Sequence, residues 1–219
     1  MNFETIKEYL PRFYEALLLT LKIGWLGILL ALVLGIIGAA VIYFKVPIIR
    51  RIISIYIELF RNTPLLVQLF FIYFALPKIG IKITAEKCGI IGLGLLGGAY
   101  MIETLRSGLE AVEKVQYESA MSLGMTRLQV FFYIILPQAF NRSITGLVAN
   151  IIFLLKETSV FSTISLMDLM FTAKDLIGMY AKTIECLTLL VVFYLIMLLP
   201  VSILGTFIER KVRYAEFGA

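Results

Sequence analysis

The residues that can do chemistry in this chain sit where an apolar solvent should forbid them. Lys156 and Glu157 stand side by side in the middle of the apolar stretch Ser143–Leu166. Glu58 and Arg61 interrupt Ile52–Leu76, and Glu103 and Arg106 follow the uncharged run Cys88–Ile102. A charge at bilayer depth costs about 2.5–3.5 kcal/mol on insertion scales, so such groups are paired or they work. Glu58 and Arg61, spaced i,i+3, read as a structural pair. Glu103 and Arg106 have the same spacing and read as a pair or a gate. Lys156 and Glu157 remain open between pairing and contact with a polar molecule that crosses.

Other chemistries are excluded. The chain has no histidine, which removes Ser-His-Asp and Cys-His catalysis and every zinc site built on imidazole. Cys88 and Cys186 are too few and too far apart for a metal cluster or a disulfide framework. Gly92-x-Gly94-x-x-Gly97 spells a dinucleotide fingerprint, but no strand precedes it and no acidic residue follows at the required distance. These glycines, with Gly98, read instead as a surface for close helix packing in a membrane. No phosphate loop is present, and Asn141-Arg142-Ser143 fits a glycosylation pattern that means little on an inner segment.

Elements that hold these residues must be helices in lipid. Of 219 residues 60% are hydrophobic and 16% are charged, against about 25% charged in a soluble domain. The mean hydropathy is +0.95. The composition predicts an all-α integral membrane protein and excludes a disordered chain, a secreted disulfide scaffold and a nucleic-acid-binding module. About 20 apolar residues cross a hydrocarbon core of about 30 Å, and five segments qualify: about 17–44, 52–77, 88–109, 139–166 and 184–208. The first is too long for a signal-peptide core, and its basic flank (Lys45, Arg50, Arg51) follows it rather than precedes it. Residues 2–22 read as an amphipathic helix on the outer surface, with Phe3, Ile6, Leu10, Phe13 and Leu17 on one face. The whole chain reads as one transmembrane domain over 1–219.

Orientation follows from the basic residues near the span ends. With the N-terminus outside and the C-terminus cytoplasmic, the inner segments carry Lys45, Arg50, Arg51, Arg106, Lys114, Arg127, Arg142, Arg210, Lys211 and Arg213. The outer ones carry Lys7, Arg12, Lys78, Lys82, Lys87, Lys174 and Lys182. Seven of nine arginines fall inside. The net charge of +5 therefore expresses topology rather than a nucleic-acid footprint.

The longest inner segment, 110–136, has a helical start, a turn of small residues (Ser119, Ala120, Ser122) and Gly124, which can stop the helix at positive φ. A short helix with small side chains and one carboxylate, Glu118, can enter a groove on a partner. Glu118-Ser119-Ala120, Gly124 and Leu136-Pro137 resemble the EAA loop of ATP-binding-cassette importer permeases. Arg61-Asn62-Thr63-Pro64-Leu65-Leu66-Val67-Gln68 is similar to the Arg-x-Thr-Pro-x-x-x-Gln segment of the polar amino-acid uptake subfamily. Tyr100-x-x-Glu103-x-x-Arg106, Leu136-Pro137-Gln138-Ala139 and Leu154-Leu155-Lys156-Glu157-Thr158-Ser159 match further signatures in the same order. The resemblance runs from about Leu19 to Arg210. Ser119 replaces alanine, Glu157 replaces aspartate, and Ala149-Asn150 replaces the frequent Asn-Glu, which leaves the pocket less suited to a basic side chain.

The resemblance implies a type I importer permease fold and a role as the transmembrane subunit of an ATP-driven amino-acid importer in the bacterial cytoplasmic membrane. It implies an ATPase bound through Glu118, Ser119, Ala120 and Gly124. It also implies a second permease subunit, identical or different, and an extracytoplasmic solute-binding protein. ATP and Mg belong to the ATPase, and this chain is non-catalytic, with no cofactor or metal of its own. On this reading Lys156 neutralises a substrate α-carboxylate, Glu157 faces the α-ammonium, and Asn150, Thr158, Ser159, Thr63 and Gln68 complete the path. A secondary transporter or channel without ATP coupling is the alternative, and an intramembrane enzyme would have only Lys156 or the carboxylates to supply its nucleophile or base.

Overall fold

A computed structural model describes residues 3–217 of the protein, with side chains described through residue 212. Residue 2 of the expected amphipathic segment, the ends of the expected 1–219 domain and the side chain of Arg213 lie outside the described residues.

The described chain is helical. α1 runs Phe3–Tyr43, and α2, Pro47–Arg61, follows after a short link. α3, Leu65–Phe70, continues through a π turn and a 3₁₀ turn to Ile79. α4 is Ala85–Glu110 and α5 is Lys114–Ser122. α6, Arg127–Val130, passes through a π turn into α7, Leu136–Glu157, which ends in a 3₁₀ turn to Ile164. α8, Leu169–Tyr180, and α9, Thr183–Phe217, close the chain. Four of these stretches are long and apolar enough to cross a membrane, and the bent pair Pro47–Arg61 with Leu65–Ile79 makes a fifth if it counts as one span.

The N-terminal segment, expected to lead into the first span, is continuous with it as the first turns of α1. That helix has 41 residues, about 60 Å of rise for a hydrocarbon core of about 30 Å. Phe13 and Leu17 of its apolar face are buried against protein, while Phe3 and Leu10 stay exposed. Tyr9 packs on Tyr180 with ring centroids 5.8 Å apart, and Phe13 on Phe193 at 5.5 Å. Burial of these rings holds the helix on course through Pro11, which removes one backbone donor.

α4 is the hub, with α1 along one side and α2 and α7 along others. The glycine series on α4 permits this. A Cβ on Gly97 would lie 2.6 Å from Leu154 Cδ1 of α7 and 2.7 Å from Ala31 Cβ of α1. Any larger residue would push two helices apart at once. A second apolar layer gathers Val112, Ala120, Val130, Phe131, Ile135 and Ala139 around α5 and the start of α7.

The second membrane element is broken by 105° between α2 and α3. Pro64 has no N–H to continue the ladder, so carbonyls at the end of α2 lose their partners. Side chains replace them. Thr63 donates to the Leu59 carbonyl at 2.8 Å. Asn62 Nδ2 adds a second donor, at 2.7 Å, to the Glu58 carbonyl, which keeps the Asn62 backbone N–H at 3.2 Å. Buried Gln68 reaches back from α3 and donates through Nε2 to the carbonyls of Phe60 and Thr63, each at 3.0 Å. Gln68, expected along a substrate path, is thus the brace that holds the break.

At the other end of the bundle, fully buried Asp168 caps α8 and accepts from the backbone N–H of Phe171 at 2.9 Å and of Met170 at 3.4 Å. The adjacent Leu169 N–H donates to Thr20 Oγ1 of α1 at 3.2 Å. Burial pushes the Asp168 carboxyl up to about 7 against the pull of its backbone donors and of Lys174.

Gln68→Leu should strand the Phe60 and Thr63 carbonyls at a cost of about 1–3 kcal/mol per unpaired group. A marked fall in the thermal unfolding midpoint of the purified protein checks this. For Asp168, a folded pKa raised above the ordinary carboxylate value means that the folded state holds a proton the unfolded state has lost. Stability from this group is present at low pH and declines as pH rises from about 4 through about 7. Asp168→Asn should keep the cap and flatten the decline, as read from unfolding midpoints at pH 5 and pH 8.

Candidate functional site

The break between α2 and α3 opens toward α4 and the end of α7. Arg61, Asn62 and Thr63 from the break, Tyr100 from α4, and Phe153 and Glu157 from α7 line a cavity of about 370 Å³. A second cavity of about 240 Å³ shares Arg61, Asn62 and Tyr100 and adds Glu58. Helix termini and a broken span deliver these side chains because only there can backbone leave a continuous helix at membrane depth, beside a polar cavity.

Charge in the cleft is arranged differently from the sequence expectation. Glu58 and Arg61 do not pair. Glu58 Oε2 accepts from Asn62 Nδ2 at 3.0 Å. The Arg61 guanidinium lies over the Tyr100 ring, 5.2 Å from its centroid. The reason is local: α2 ends at Arg61, so the long side chain leaves the helix surface and finds an aromatic face that attracts a cation. Tyr100 is itself held by Phe153 at 5.2 Å between centroids. Arg61 therefore forms no ion pair at contact distance among the described residues, although it acts electrostatically on Glu103. Glu157 lines the same cavity from the opposite wall.

Adjacent residues on a helix point about 100° apart, and this separates Lys156 from Glu157. Lys156 is exposed and lies outside both cavities, while Glu157 faces the cleft. Asn150 bridges helices instead, donating from Nδ2 to Thr104 Oγ1 of α4 at 2.9 Å. Thr158 is fully buried and donates to the Leu155 carbonyl at 2.7 Å. Ser159 is half-buried, and its carbonyl accepts from Ser162 at 3.3 Å. Of the expected path residues, Thr63 and Glu157 thus meet in the cleft. They are joined by Glu58 and Arg61, which the sequence suggested as a gate or a pair. Tyr100 was visible only as part of a signature, and its spacing of three from Glu103 was the available signal for an inward-facing ring.

Glu103 and Arg106 do form a pair. Arg106 Nη2 lies 2.5 Å from Glu103 Oε1, and its Nη1 lies 2.5 Å from Glu110 Oε1. This ladder leads along α4 from the cleft to α5. There Glu118 and Ser119 are exposed. Gly124 closes the helix at φ +80 with open space around it, a conformation that costs other residues about 1–2 kcal/mol. Ala120 turns the other way and is buried beneath α5. Leu123, 83% exposed, was not singled out in the sequence and is the most projecting apolar side chain of the turn. Arg142 of α7 donates to the Ala111 carbonyl and ties the entry of α5 to the bundle.

A broken apolar helix beside a polar cleft, in a bundle of helices long enough to cross a membrane, fits a membrane permease. Comparison with known proteins places it further. The profile of the family described as "Binding-protein-dependent transport system inner membrane component" matches residues 17–214, and the chain belongs to that family. It is 37% identical over 175 residues to the "Probable glutamine ABC transporter permease protein GlnP" of Bacillus subtilis (strain 168), covering 80% of each chain. It is 34% identical to the "Probable amino-acid permease protein YxeN" of the same organism, covering 96% of this chain and 95% of that one. Among solved structures it is similar to a chain described as "Crystal structure of an amino acid ABC transporter with histidines". The TM-score there is 0.90 at 33% identity, covering 96% of this chain and 99% of that one. A methionine ABC transporter, MetNI, in an inward-facing form shares the fold at TM-score 0.79 and 17% identity.

Arg61→Ala should raise the half-saturation concentration for transport by about tenfold or more, the scale of one charge-assisted contact. Lys156→Ala should change it by less than about threefold, since its side chain points away from the cleft. Vesicle uptake kinetics of the two variants check the contrast.

Proposed function

We propose that this chain is the permease subunit of an ATP-driven amino-acid importer, with its N-terminus outside and its C-terminus in the cytoplasm of a bacterial cell. One observation supports this most: the cleft at the broken helix sets an unpaired guanidinium, Arg61, against a carboxylate, Glu157. A zwitterion matches that arrangement, with its carboxylate at Arg61 and its ammonium at Glu157. Glu58, Asn62 and Thr63 then face the side chain. The names of the glutamine and amino-acid permeases that the chain resembles agree with this substrate class.

Orientation is supported by charge. Lys45, Arg50, Lys114 and Glu118 surround one cavity and Arg142 and Arg210 another, all at the α5 end of the bundle. That end carries the arginine excess expected of a cytoplasmic face. α5 is then the element that an ATPase grips, with Glu118 and Leu123 projecting and Gly124 allowing a close turn. Movement of α5 reaches the cleft through α4, along Glu110, Arg106 and Glu103. The ATPase binds ATP and Mg and performs the chemistry; this chain positions substrate and moves. A second permease subunit completes the pathway, and a solute-binding protein delivers substrate from outside.

Glu118→Lys and Gly124→Asp should each abolish ATP-driven uptake in vesicles while membrane insertion stays normal. Normal uptake with normal ATPase recruitment in both variants would contradict the coupling role of α5.

A further inference from the structure

At the α5 end of the bundle, two cavities of opposite character adjoin. One is a groove of about 530 Å³ between the last turns of α1, the end of α4 and the start of α7. Every residue lining it is apolar. Ala39 and Ala40 form a shallow floor, and Phe44, Phe132 and Phe140 stand around it, each about half exposed. The groove lies beside the π turn at 131–135 just before Pro137, where Phe131 packs on Tyr43 and Phe44 at the end of α1 with ring centroids 4.8 Å apart.

The second cavity, about 470 Å³, shares Ala39 and Leu109 with the groove and lies just beyond the end of α1. Lys45 and Arg50 line its near side. Lys45 adopts a left-handed backbone conformation at φ 54, which is unusual for a residue with a Cβ and ends α1 at the cavity mouth. Neither Lys45 nor Arg50 forms an ion pair among the described residues. Of the carboxylates present, Glu110 is held by Arg106 at 2.5 Å, and Glu113 and Glu118 belong to the α5 wall. An apolar groove continuous with a pair of cations at a membrane boundary is complementary to one class of molecule.

We propose that this is a binding site for one anionic phospholipid, with an acyl chain in the Ala40–Phe132 groove and the headgroup phosphate between Lys45 and Arg50. The site goes beyond the import function and does not involve the substrate cleft. An acidic surface of the ATPase is the rival occupant for Lys45 and Arg50. It would leave the groove unexplained, because a wholly apolar channel facing lipid suits a hydrocarbon chain.

The test uses the intact transporter complex, purified and then exposed to phosphatidylglycerol or phosphatidylcholine, with retained lipid counted by native mass spectrometry. Wild type should hold phosphatidylglycerol about tenfold or more tightly than phosphatidylcholine, the scale set by two boundary cations. The double variant Lys45→Ala, Arg50→Ala should lose that preference. Ala40→Trp, which fills the groove, should lower retention of both lipids. Arg51→Ala removes a neighbouring cation that lines neither cavity and should change nothing. Equal retention of the two lipids by wild type overturns the proposal. So does an Arg51→Ala loss as large as that of the double variant, which would mean diffuse attraction rather than a site. Loss of the ATPase subunit from the double variant, with phosphatidylglycerol retention intact, assigns the two cations to the protein partner and also overturns it.

Discussion

Backbone in hydrocarbon has no water to bond with, so every N–H and C=O must find its partner inside the protein. In continuous helices this is automatic. At Asn62-Thr63-Pro64 it is not, and the transport reading depends on how that debt is met. The Thr63 and Gln68 side chains take the place of missing backbone donors, with Gln68 meeting two carbonyls at once. Because Gln68 braces the break from α3, Arg61 and Asn62 can line a cavity beside it. A polar cleft in lipid is thus the by-product of a well-satisfied break rather than of added polar residues alone.

The same constraint explains α4. To present Tyr100 to the cleft and Arg106 to the α5 end, this helix must be gripped on several sides. Its glycines allow α1 and α7 to approach so closely that a single added methyl at Gly97 would strike both. A helix held in this way moves as a rigid body. The ladder of Glu103, Arg106 and Glu110 lies on that same firmly held helix.

Much of this was legible in the sequence, and the failures follow a pattern. The apolar spans, the helix-stopping role of Gly124 and the packing role of Gly92-x-Gly94-x-x-Gly97 rest on local rules of length, chirality and volume. Each appears in the structure as those rules require. The pairing of Glu58 with Arg61 rested on helical spacing alone and did not form, because the helix ends at Arg61 and spacing says nothing past a terminus. Lys156 and Asn150 stand out in the sequence because they are polar in an apolar run, and the sequence does not say which cavity either one lines. Which of two adjacent residues faces a cleft is set by the rotation of the helix, and no local rule carries that angle. The first 22 residues looked like a surface helix because their pattern is amphipathic. That pattern cannot distinguish lipid from protein as the apolar partner, and here the partner is α8 and α9.

By itself, then, the sequence determined the all-helical, apolar character of the chain and its family, since these depend on the local cost of placing polar atoms in hydrocarbon and on local motifs. Only the tertiary structure decided which charges meet. Arg61 turned to Tyr100, Glu157 turned into the cleft and Lys156 turned out. Ala120 was buried while Leu123 was exposed, and Lys45 and Arg50 were left unpaired beside an apolar groove. Those outcomes depend on distances between helices far apart in the chain, and electrostatic and packing energies are decided over such distances.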